Sequence, residues 1–387
     1  MAVGHRSGLP DQVRRPFGDH ERRGVGVAVR DGRHHGGVNH TEPLDAAHAQ
    51  GFHVILDLVA NHTAWDNALA SEHPDWYEKT WDGHFRPTPW WDWSDIIDLD
   101  WSKPGVREHV GKAMEYWVRE FDVDGYRADV AGYFPIDFWE TMRARLDAIR
   151  PVFMLGEVQQ TVHHRAAFDA TYAWDWHHTG KRIAKGEADA TALFGYYAEN
   201  ESLWPREAMR LTYIENHDSN AWEGTTQENY GAALDAMTVL SFMGEGLPLI
   251  HNGMEACNAK RLEFFERDPI DWGRGEDCAY GDLLQNLIAF RKANPALANG
   301  QWGARMHKLE TDRPEQVFAW VRTAGENRVV AFFNFGDEPV TVTPTSALAD
   351  GTYERFGTPE RVVLREGQEL HLPGWGYLLL ARNRKHD

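Results

Sequence analysis

The chain is short of cysteine, of long apolar runs and of positive charge. With only two cysteines in 387 residues, Cys257 and Cys278, it has neither a disulfide framework nor a zinc ligand set, and we predict two free thiols. No apolar stretch approaches the roughly 18 residues of a membrane span. The start of the chain lacks the apolar centre of a secretory signal. These absences argue against a membrane protein and favour a cytoplasmic location.

The excess of acidic residues disfavours negatively charged partners. Lysine and arginine total 40 against 59 aspartates and glutamates, a formal net charge of -19. Such a chain repels nucleic acid and anionic membrane surfaces, whereas a neutral, polar substrate is compatible with it. The hydrophobic content of 42% is enough for a substantial core, and 17 tryptophans are present.

Residues 1–41 differ in composition from the rest. They contain no Ile, Lys, Tyr or Trp, their only leucine is Leu9, and they show neither helical nor strand periodicity. We predict an atypical segment that is either disordered or not native. Its Arg, Gly and His bias is what a GC-rich gene yields out of frame, so one hypothesis is a lost or frame-shifted N-terminal segment. One intact reading frame, with a matching peptide by mass spectrometry, would contradict this hypothesis.

From Glu42 onwards, helix-like and strand-like segments alternate. The strand-like segments are continuous apolar runs: "HVILDLVANH", "VDGYRADV", "VFMLGEV", "MRLTYIENHD" and "GLPLIHNG". Continuous apolar runs separated by helices indicate a parallel sheet covered by helices, in a barrel or a doubly wound sheet. We predict this domain over residues 42–298, with a tryptophan-rich, loop-rich insert at 63–103. Short β-like segments then predict an all-β sandwich over 299–387.

Polar residues gather at the carboxyl ends of these predicted strands. They are Asp57, Asn61, His62, Arg127, Asp129, Glu157, His217 and Asp218. Arg127 and Asp129 lie two positions apart, so they share one face of a strand, and an isolated pair of this kind is more often a structural ion pair. Because barrel active sites are built at the carboxyl ends of several strands, the whole set indicates a catalytic site.

The motifs that carry these residues resemble the alpha-amylase family of glycoside hydrolases, family 13. Its four shared motifs match "DLVANH" at 57–62, "GYRADV" at 125–130, "GEV" at 156–158 and "ENHD" at 215–218, in the right order. "GLPLIHNGMEA" resembles the eighth-strand motif, and "IIDLDW" resembles a motif late in the insert after the third strand. The resemblance covers the chain from about Glu42 and implies a (β/α)8 TIM barrel. The strand–helix units that open the family's barrel are not found.

The resemblance implies a retaining mechanism with two carboxylates about 5 Å apart. By motif position, Asp129 is the nucleophile that forms a covalent glycosyl-enzyme, and Glu157 is the general acid and later the base. Glu157 must begin protonated, which burial and neighbouring carboxylates favour. Asp218 is the third carboxylate, which grips sugar hydroxyls. Arg127 keeps Asp129 ionised and oriented.

The remaining members of the set have supporting roles. The resemblance implies that His62 and His217 donate hydrogen bonds to the sugar, and that Asp57 is structural and bonds to Arg127 or nearby backbone. Tryptophans of the insert offer flat faces for sugar rings or pack its small core. They are Trp76, Trp81, Trp90, Trp91, Trp93 and Trp101.

The chemistry requires no cofactor, but calcium stays open as an alternative. Many calcium-dependent relatives carry Lys and His shortly after the nucleophile, whereas this chain has residues 130–133, "VAGY". Asn61 stands where the family has a calcium ligand, and one ligand does not make a site. A metal-dependent hydrolase using His62 and His217 is disfavoured, because no matching ligand set accompanies them.

The leading prediction is an enzyme that hydrolyses α-glucosidic bonds, mainly α-1,4, in starch-type glucans, maltooligosaccharides or cyclodextrins. Transglycosylases and α-1,6-glucosidases of the family share the same catalytic groups, so both stay open. An inactive, truncated family member that only binds sugar is the alternative from another class.

Overall fold

The structure is a computed structural model that describes residues 25–28, 41–91, 93–273 and 278–382. The chain forms two compact units, Met1–Tyr172 and Ala173–Asp387. None of the helices in the described ranges is long and apolar enough to cross a membrane.

The first unit is a parallel sheet covered by helices. Its strands are β1 (Val25–Ala28), β2 (His53–Leu58), β3 (His62–Ala64), β4 (Ile96–Asp98), β5 (Gly125–Ala128), β6 (Phe153–Gly156) and β7 (Ala170–Tyr172). Its helices are α1 (Thr41–Ala49), α2 (Ala68–Glu72), α3 (Pro104–Phe121) and α4 (Ile136–Asp147). Strands β1, β2, β5, β6 and β7 pair side by side in that order, all parallel.

Strand β5 is buried along its whole length, including its one charged side chain, Arg127. It approaches β6 so closely that a Cβ on Gly125 would lie 1.8 Å from the Phe153 carbonyl oxygen, so only glycine fits there. Just before β5, the Asp124 carboxylate accepts a hydrogen bond from the Val54 N–H at 2.7 Å and binds His48 at 2.8 Å. This carboxylate ties β2 to β5 at the ends where both strands begin.

The local sequence determines where helix α3 begins and ends. It begins at Pro104, whose fixed φ suits the first helical turn. It ends at Phe121, and the next residue, Asp122, adopts the left-handed conformation with φ 56°. Its apolar face, including Met114, packs with Trp139 and Leu146 of α4 into the core of the first unit.

The insert carries a small antiparallel sheet of its own. Strand β3 pairs with β4, and the register sets His62 opposite Asp98. This pairing places two residues of the candidate set, Asn61 and His62, beside a buried aspartate.

The second unit combines helices with an all-β region. Its helices are α5 (Trp174–Ala184), α6 (Thr191–Leu203), α7 (Thr226–Tyr230), α8 (Leu234–Met243) and α9 (Ala279–Ala293). Its strands are β8 (Met209–Tyr213), β9 (Leu247–Leu249), β10 (Met306–Lys308), β11 (Val317–Ala324), β12 (Asn327–Asn334), β13 (Val340–Val342), β14 (Gly351–Arg355), β15 (Arg361–Leu364), β16 (Leu370–Leu372) and β17 (Tyr377–Arg382). Strands β8 and β9 are parallel neighbours.

The C-terminal strands form two antiparallel sheets. One has six strands in the order β10-β11-β12-β17-β14-β15, and the other pairs β13 with β16. One face of the larger sheet shares a core with the helices of this unit, in which Trp320 packs with Trp176 and Leu240. Its other face packs with the smaller sheet around Phe332 and Leu372. The predicted sandwich strands are therefore present.

Two sequence-based expectations need correction. The two cysteines were predicted to be free, but Cys257 and Cys278 form a disulfide with Cα atoms 5.7 Å apart. No strand was predicted near Val25–Ala28, yet these residues form β1 beside β2; four residues interrupted by glycine give too short a pattern to recognise. Between "VFMLGEV" and "MRLTYIENHD", where no element was predicted, the structure contains β7, α5 and α6. The prediction for residues 1–41 otherwise falls outside the described residues, apart from Thr41.

Candidate active site

A buried arginine organises the polar residues of the first unit. Arg127 is 3% exposed and pairs in register with Asp57 of β2, so both side chains point to the same face. Its Nη1 donates to the two Asp57 oxygens at 2.9 and 3.1 Å and to Asp129 Oδ1 at 2.6 Å. Its Nη2 forms an ion pair with Glu157 Oε2 at 3.0 Å. One cation therefore binds three carboxylates.

The electrostatics of this cluster favour a permanent positive charge on Arg127. Burial opposes that charge, but the Tyr172 oxygen and the three carboxylates outweigh it and hold the pKa of Arg127 well above its ordinary value. Its Nε donates to Tyr172 Oη at 3.4 Å. Burial raises the pKa of Tyr172 to about 12, so the phenol is neutral at pH 7. The predicted pairing of Asp57 and Asp129 with Arg127 is thus present in the structure.

The backbone next to Asp129 holds the second candidate carboxylate. Val130 adopts the left-handed region, φ 38° and ψ 43°, which is unfavourable for a β-branched residue. In this conformation its N–H donates to Glu157 Oε2 at 2.8 Å. The Asp129 N–H donates to the Leu58 carbonyl at 3.0 Å, and the Glu157 N–H donates to the Ala128 carbonyl at 2.9 Å. Strand ends and one strained residue together fix Asp129 and Glu157 around Arg127.

The imidazole ring of His62 is neutral at pH 7. Burial lowers its pKa, and the negative charges of Asp129 and Asp98 only partly oppose that shift. Its Nδ1 lies 3.5 Å from Asn61 Nδ2, which also donates to Asp98 Oδ1 at 3.1 Å. Thr88 Oγ1 donates to the same Asp98 oxygen at 2.5 Å. Asn61 therefore belongs to a hydrogen-bonded network beside His62.

Some of the six tryptophans of the insert pack against other rings, and others are exposed to solvent. Trp76 stacks on His73 with ring centroids 3.9 Å apart, and Trp101 is buried against Phe134. Trp91 and Trp93 stack on each other at 5.6 Å, and Trp93 lies 6.1 Å from the His62 ring. Trp81 and Trp90 are fully exposed. Of the six, Trp91 and Trp93 are the ones that connect to a candidate site residue.

His217 and Asp218 belong to the second unit, where they follow strand β8. His217 Nε2 lies 3.4 Å from Asp218 Oδ2, and the two side chains are 43% and 39% exposed. The His217 ring stacks on Phe264 at 6.0 Å. Both residues are therefore open to solvent at the carboxyl end of a parallel strand.

Sequence reasoning missed a buried network beneath these two residues. Glu215 is 2% exposed, and its Oε1 binds His251 Nδ1 at 2.8 Å. Asn220 Nδ2 donates to Glu215 Oε2 at 3.0 Å, which ties the start of the π-helix Ser219–Glu223 to the end of β8. The motif "ENHD" and the histidine in "LIHNG" were visible in the sequence, but their pairing depends on parallel strands β8 and β9 being neighbours.

Among the described residues, no group of three or more His, Cys, Asp or Glu side chains is arranged to hold a metal ion. The proposal of a calcium ligand at Asn61 stays a prediction.

Comparison with known proteins identifies the family. A model of the alpha amylase catalytic domain matches residues 33–279. The alpha-amylase MalA of Haloarcula japonica is 29% identical over 325 residues, covering 80% of this chain and 46% of that protein. A cyclomaltodextrinase of Geobacillus thermopakistaniensis is 32% identical over 367 residues, covering 86% of this chain and 60% of that protein. A maltogenic alpha-amylase from Thermotoga neapolitana has a crystal structure that superposes with a TM-score of 0.78, at 26% identity over 88% of this chain and 79% of that one.

The chain belongs to the alpha-amylase family, because the family model matches more than half of it. The predicted fold class, a TIM-type (β/α) barrel with a C-terminal all-β region, is confirmed by the solved structure. The chain spans about half the length of the curated relatives that it matches.

Proposed function

We propose that the protein is a retaining glycoside hydrolase that cleaves α-glucosidic bonds, mainly α-1,4, through a covalent glycosyl-enzyme on Asp129. The observation that carries this proposal is the buried Arg127, which binds Asp129 through one nitrogen and Glu157 through the other. Carboxylates that share one guanidinium are held close together, as a double displacement requires.

In the first step, Asp129 attacks the anomeric carbon of the sugar. The bond from that carbon to the glycosidic oxygen breaks, and Glu157 gives its proton to the departing oxygen. Arg127 Nη1 donates a hydrogen bond to Asp129 Oδ1 at 2.6 Å and so orients the attacking carboxylate. The same cation works against protonation of Glu157, whereas burial and the nearby carboxylates favour it.

In the second step, water replaces the glucan that has left. Glu157 takes a proton from that water, whose oxygen then attacks the anomeric carbon and breaks its bond to Asp129. Both groups return to their starting protonation states. By motif position, we assign Asp218 and His217 to gripping sugar hydroxyls, and the neutral ring of His62 to donating a hydrogen bond to the sugar.

The substrate class comes from the relatives that resemble the chain. Their names describe alpha-amylases, a maltogenic alpha-amylase and a cyclomaltodextrinase. We therefore propose starch-type glucans, maltooligosaccharides or cyclodextrins as substrates. All are neutral, which suits a chain with a formal net charge of -19.

The test is incubation of the purified chain and its Asp129→Asn variant with maltoheptaose, with products separated by chromatography. We expect shorter sugars from the parent chain and a loss of at least about 10³-fold in the variant, since the covalent step is removed. A folded parent chain that releases nothing would contradict the proposal and favour the inactive, sugar-binding alternative. The product profile separates hydrolysis from transfer, and pullulan tests for α-1,6 cleavage.

We propose that the reaction needs no metal ion, because the carboxylates and Arg127 supply the acid, the base and the nucleophile. Activity should survive prolonged dialysis against EDTA. A loss that calcium alone reverses would contradict this proposal, and the Asn61→Ala variant would then show whether Asn61 is a ligand.

A further inference from the structure

Three aromatic side chains of the second unit form an exposed cluster, which we call the aromatic platform: Trp222, Phe264 and Phe265. Their exposed fractions are 62%, 40% and 74%. The ring centroids of Trp222 and Phe264 lie 5.3 Å apart, and those of Phe264 and Phe265 lie 4.9 Å apart. Large aromatic side chains exposed as a contiguous group commonly mark a binding surface.

The platform continues directly into the candidate sugar-binding residues of this unit. Phe264 stacks on His217 with an interplanar angle of 19°, and His217 lies beside Asp218. Trp222 comes four residues after Asp218, in the π-helix Ser219–Glu223. π-Helical turns are rare and frequently occur at functional sites. The apolar rings and the polar pair thus form one surface.

The two segments that carry the platform are held by a buried side chain. Asn220 is fully buried, and its Nδ2 donates to Glu215 Oε2 at 3.0 Å and to the Lys260 carbonyl at 3.3 Å. Its Oδ1 accepts from the Leu262 N–H at 2.7 Å. One amide therefore fixes the segment before Phe264 against the π-helix that contains Trp222.

The segment after Phe265 is fixed as well. The Glu263 N–H donates to Asp268 Oδ2 at 3.1 Å, and Lys260 forms an ion pair with the same carboxylate. Arg261 Nε donates to Glu228 Oε2 at 3.0 Å. Phe264 and Phe265 are thus exposed on a segment with defined geometry, and a preformed surface loses little entropy on binding.

We propose that the aromatic platform binds glucosyl rings of an α-glucan that lie next to the sugar held by His217 and Asp218. The apolar C–H face of a pyranose packs on an aromatic ring, while its hydroxyl groups at the edge reach polar neighbours. The platform offers such rings, and the polar pair adjoins it. The proposal rests on the proposed function, because it extends the same glucan along the chain, and it makes these side chains determinants of substrate length.

The test measures binding apart from turnover, with the full chain carrying Asp129→Asn. The affinities for maltose and maltoheptaose are measured by calorimetry in that background, alone and with Trp222→Ala or Phe265→Ala added. We expect maltoheptaose to bind about tenfold more weakly after either change, as for a well-packed aromatic contact. The loss should be smaller for maltose. Phe265→Tyr should retain most of the affinity, since its ring is kept.

Trp272→Ala is the matched control, because Trp272 is 52% exposed in the same unit and lies outside the platform. It should leave both affinities unchanged. Maltoheptaose affinities within about twofold of the parent value in both Trp222→Ala and Phe265→Ala would overturn the proposal. Light scattering provides a second test. If those variants lose self-association while glucan binding stays unchanged, the proposal is also overturned, because the platform would then be a contact between two copies.

This test separates the platform from the proposed function. If the chain hydrolyses maltoheptaose and Asp129→Asn stops it, the function stands whatever the platform variants show. If the chain binds maltoheptaose without cleaving it, and Phe265→Ala weakens that binding, the platform stands and the function fails.

Discussion

The backbone N–H of Val130 donates to Glu157 Oε2 at 2.8 Å, and it does so from a left-handed conformation. A valine held at φ 38° costs on the order of 1–3 kcal/mol, which the surrounding structure must offset. The strained residue directly follows the candidate nucleophile and holds the candidate acid. The geometry of the two carboxylates is therefore set by the backbone as well as by Arg127.

Glu157→Gln tests the acid without breaking this contact. The amide oxygen still accepts the Val130 N–H, so thermal stability should stay close to the parent value. Turnover of maltoheptaose should fall by about 10²–10⁴-fold, the usual contribution of a general acid. The measurement is steady-state kinetics beside a thermal melt. A 4-nitrophenyl glycoside has a leaving group that needs less protonation, so its kcat/KM, which reports the first step, should fall much less. An equal loss of kcat/KM on both substrates would argue against an acid.

Arg127→Ala tests the cation that the carboxylates share. Its removal leaves Asp57, Asp129 and Glu157 close together without the buried charge that binds them. Breaking a buried ion pair in this way costs about 3–5 kcal/mol, so urea unfolding should shift to clearly lower concentration. Arg365→Ala, at an exposed arginine, is the control and should change the transition little. An unchanged transition in Arg127→Ala would show that the cluster does not stabilise the fold.

The network around Glu223 predicts how the stability of the folded chain changes with pH. His177 and Lys181 hydrogen-bond to Glu223 and lower its pKa to about 2, from an unfolded value of 4.5. Because the folded pKa is the lower one, this stabilisation is fully present above pH 4.5 and is lost as pH falls towards 2. Glu223→Gln should lower the melting temperature at pH 7 by roughly 1 °C, as expected in a chain of this length for a partly exposed pair worth about 1 kcal/mol.

The effect of Glu223→Gln should shrink as the pH falls, because the parent chain then loses the same charge. Melts at pH 7 and near pH 3 check this. Glu199→Gln, at an exposed position of α6, should show no such trend. An effect of equal size at both pH values would mean that packing, and not charge, carries it.

The disulfide predicts that the stability of the folded chain depends on the oxidation state of its two cysteines. Cys257 and Cys278 are separated by 21 residues, and closing a loop of that length stabilises the folded state by about 3 kcal/mol in the chain-entropy model. Replacing both cysteines by serine should lower the unfolding midpoint. The Gly281 N–H donates to Cys278 Sγ at 3.3 Å, and a hydroxyl at that position can keep this helix cap. Non-reducing peptide mapping should find the cross-linked pair; two free thiols in the native chain would refute it.

Much of the site was predictable because it lies on short segments with strong patterns. Asp57, Arg127 and Glu157 follow or end buried apolar runs, and parallel strands bring their carboxyl ends to one edge. The family resemblance implied that Asp57 bonds to Arg127 or to nearby backbone, and the register between β2 and β5 sets it beside Arg127. The order of the motifs supplied the family.

The rest depended on contacts between distant segments. Asn220 looks like an ordinary turn residue, and nothing local shows that it joins Glu215 to the segment before Phe264. A spacing of 21 residues says nothing of whether two cysteines approach within bonding distance, which is a matter of Cα separation and side-chain direction. The left-handed conformation of Val130 runs against the preference of valine, so sequence propensity pointed the other way.

The cluster around Arg127 also limits how a descendant of this protein could lose its chemistry. A mutation that removes one carboxylate leaves the arginine with two others, so the fold can persist while catalysis stops. A mutation that removes the arginine first leaves three acidic groups without their cation and threatens the fold itself. A lineage drifting towards mere sugar binding should therefore discard its acidic residues before its arginine, and an inactive relative that keeps this arginine would record the earlier steps of that path.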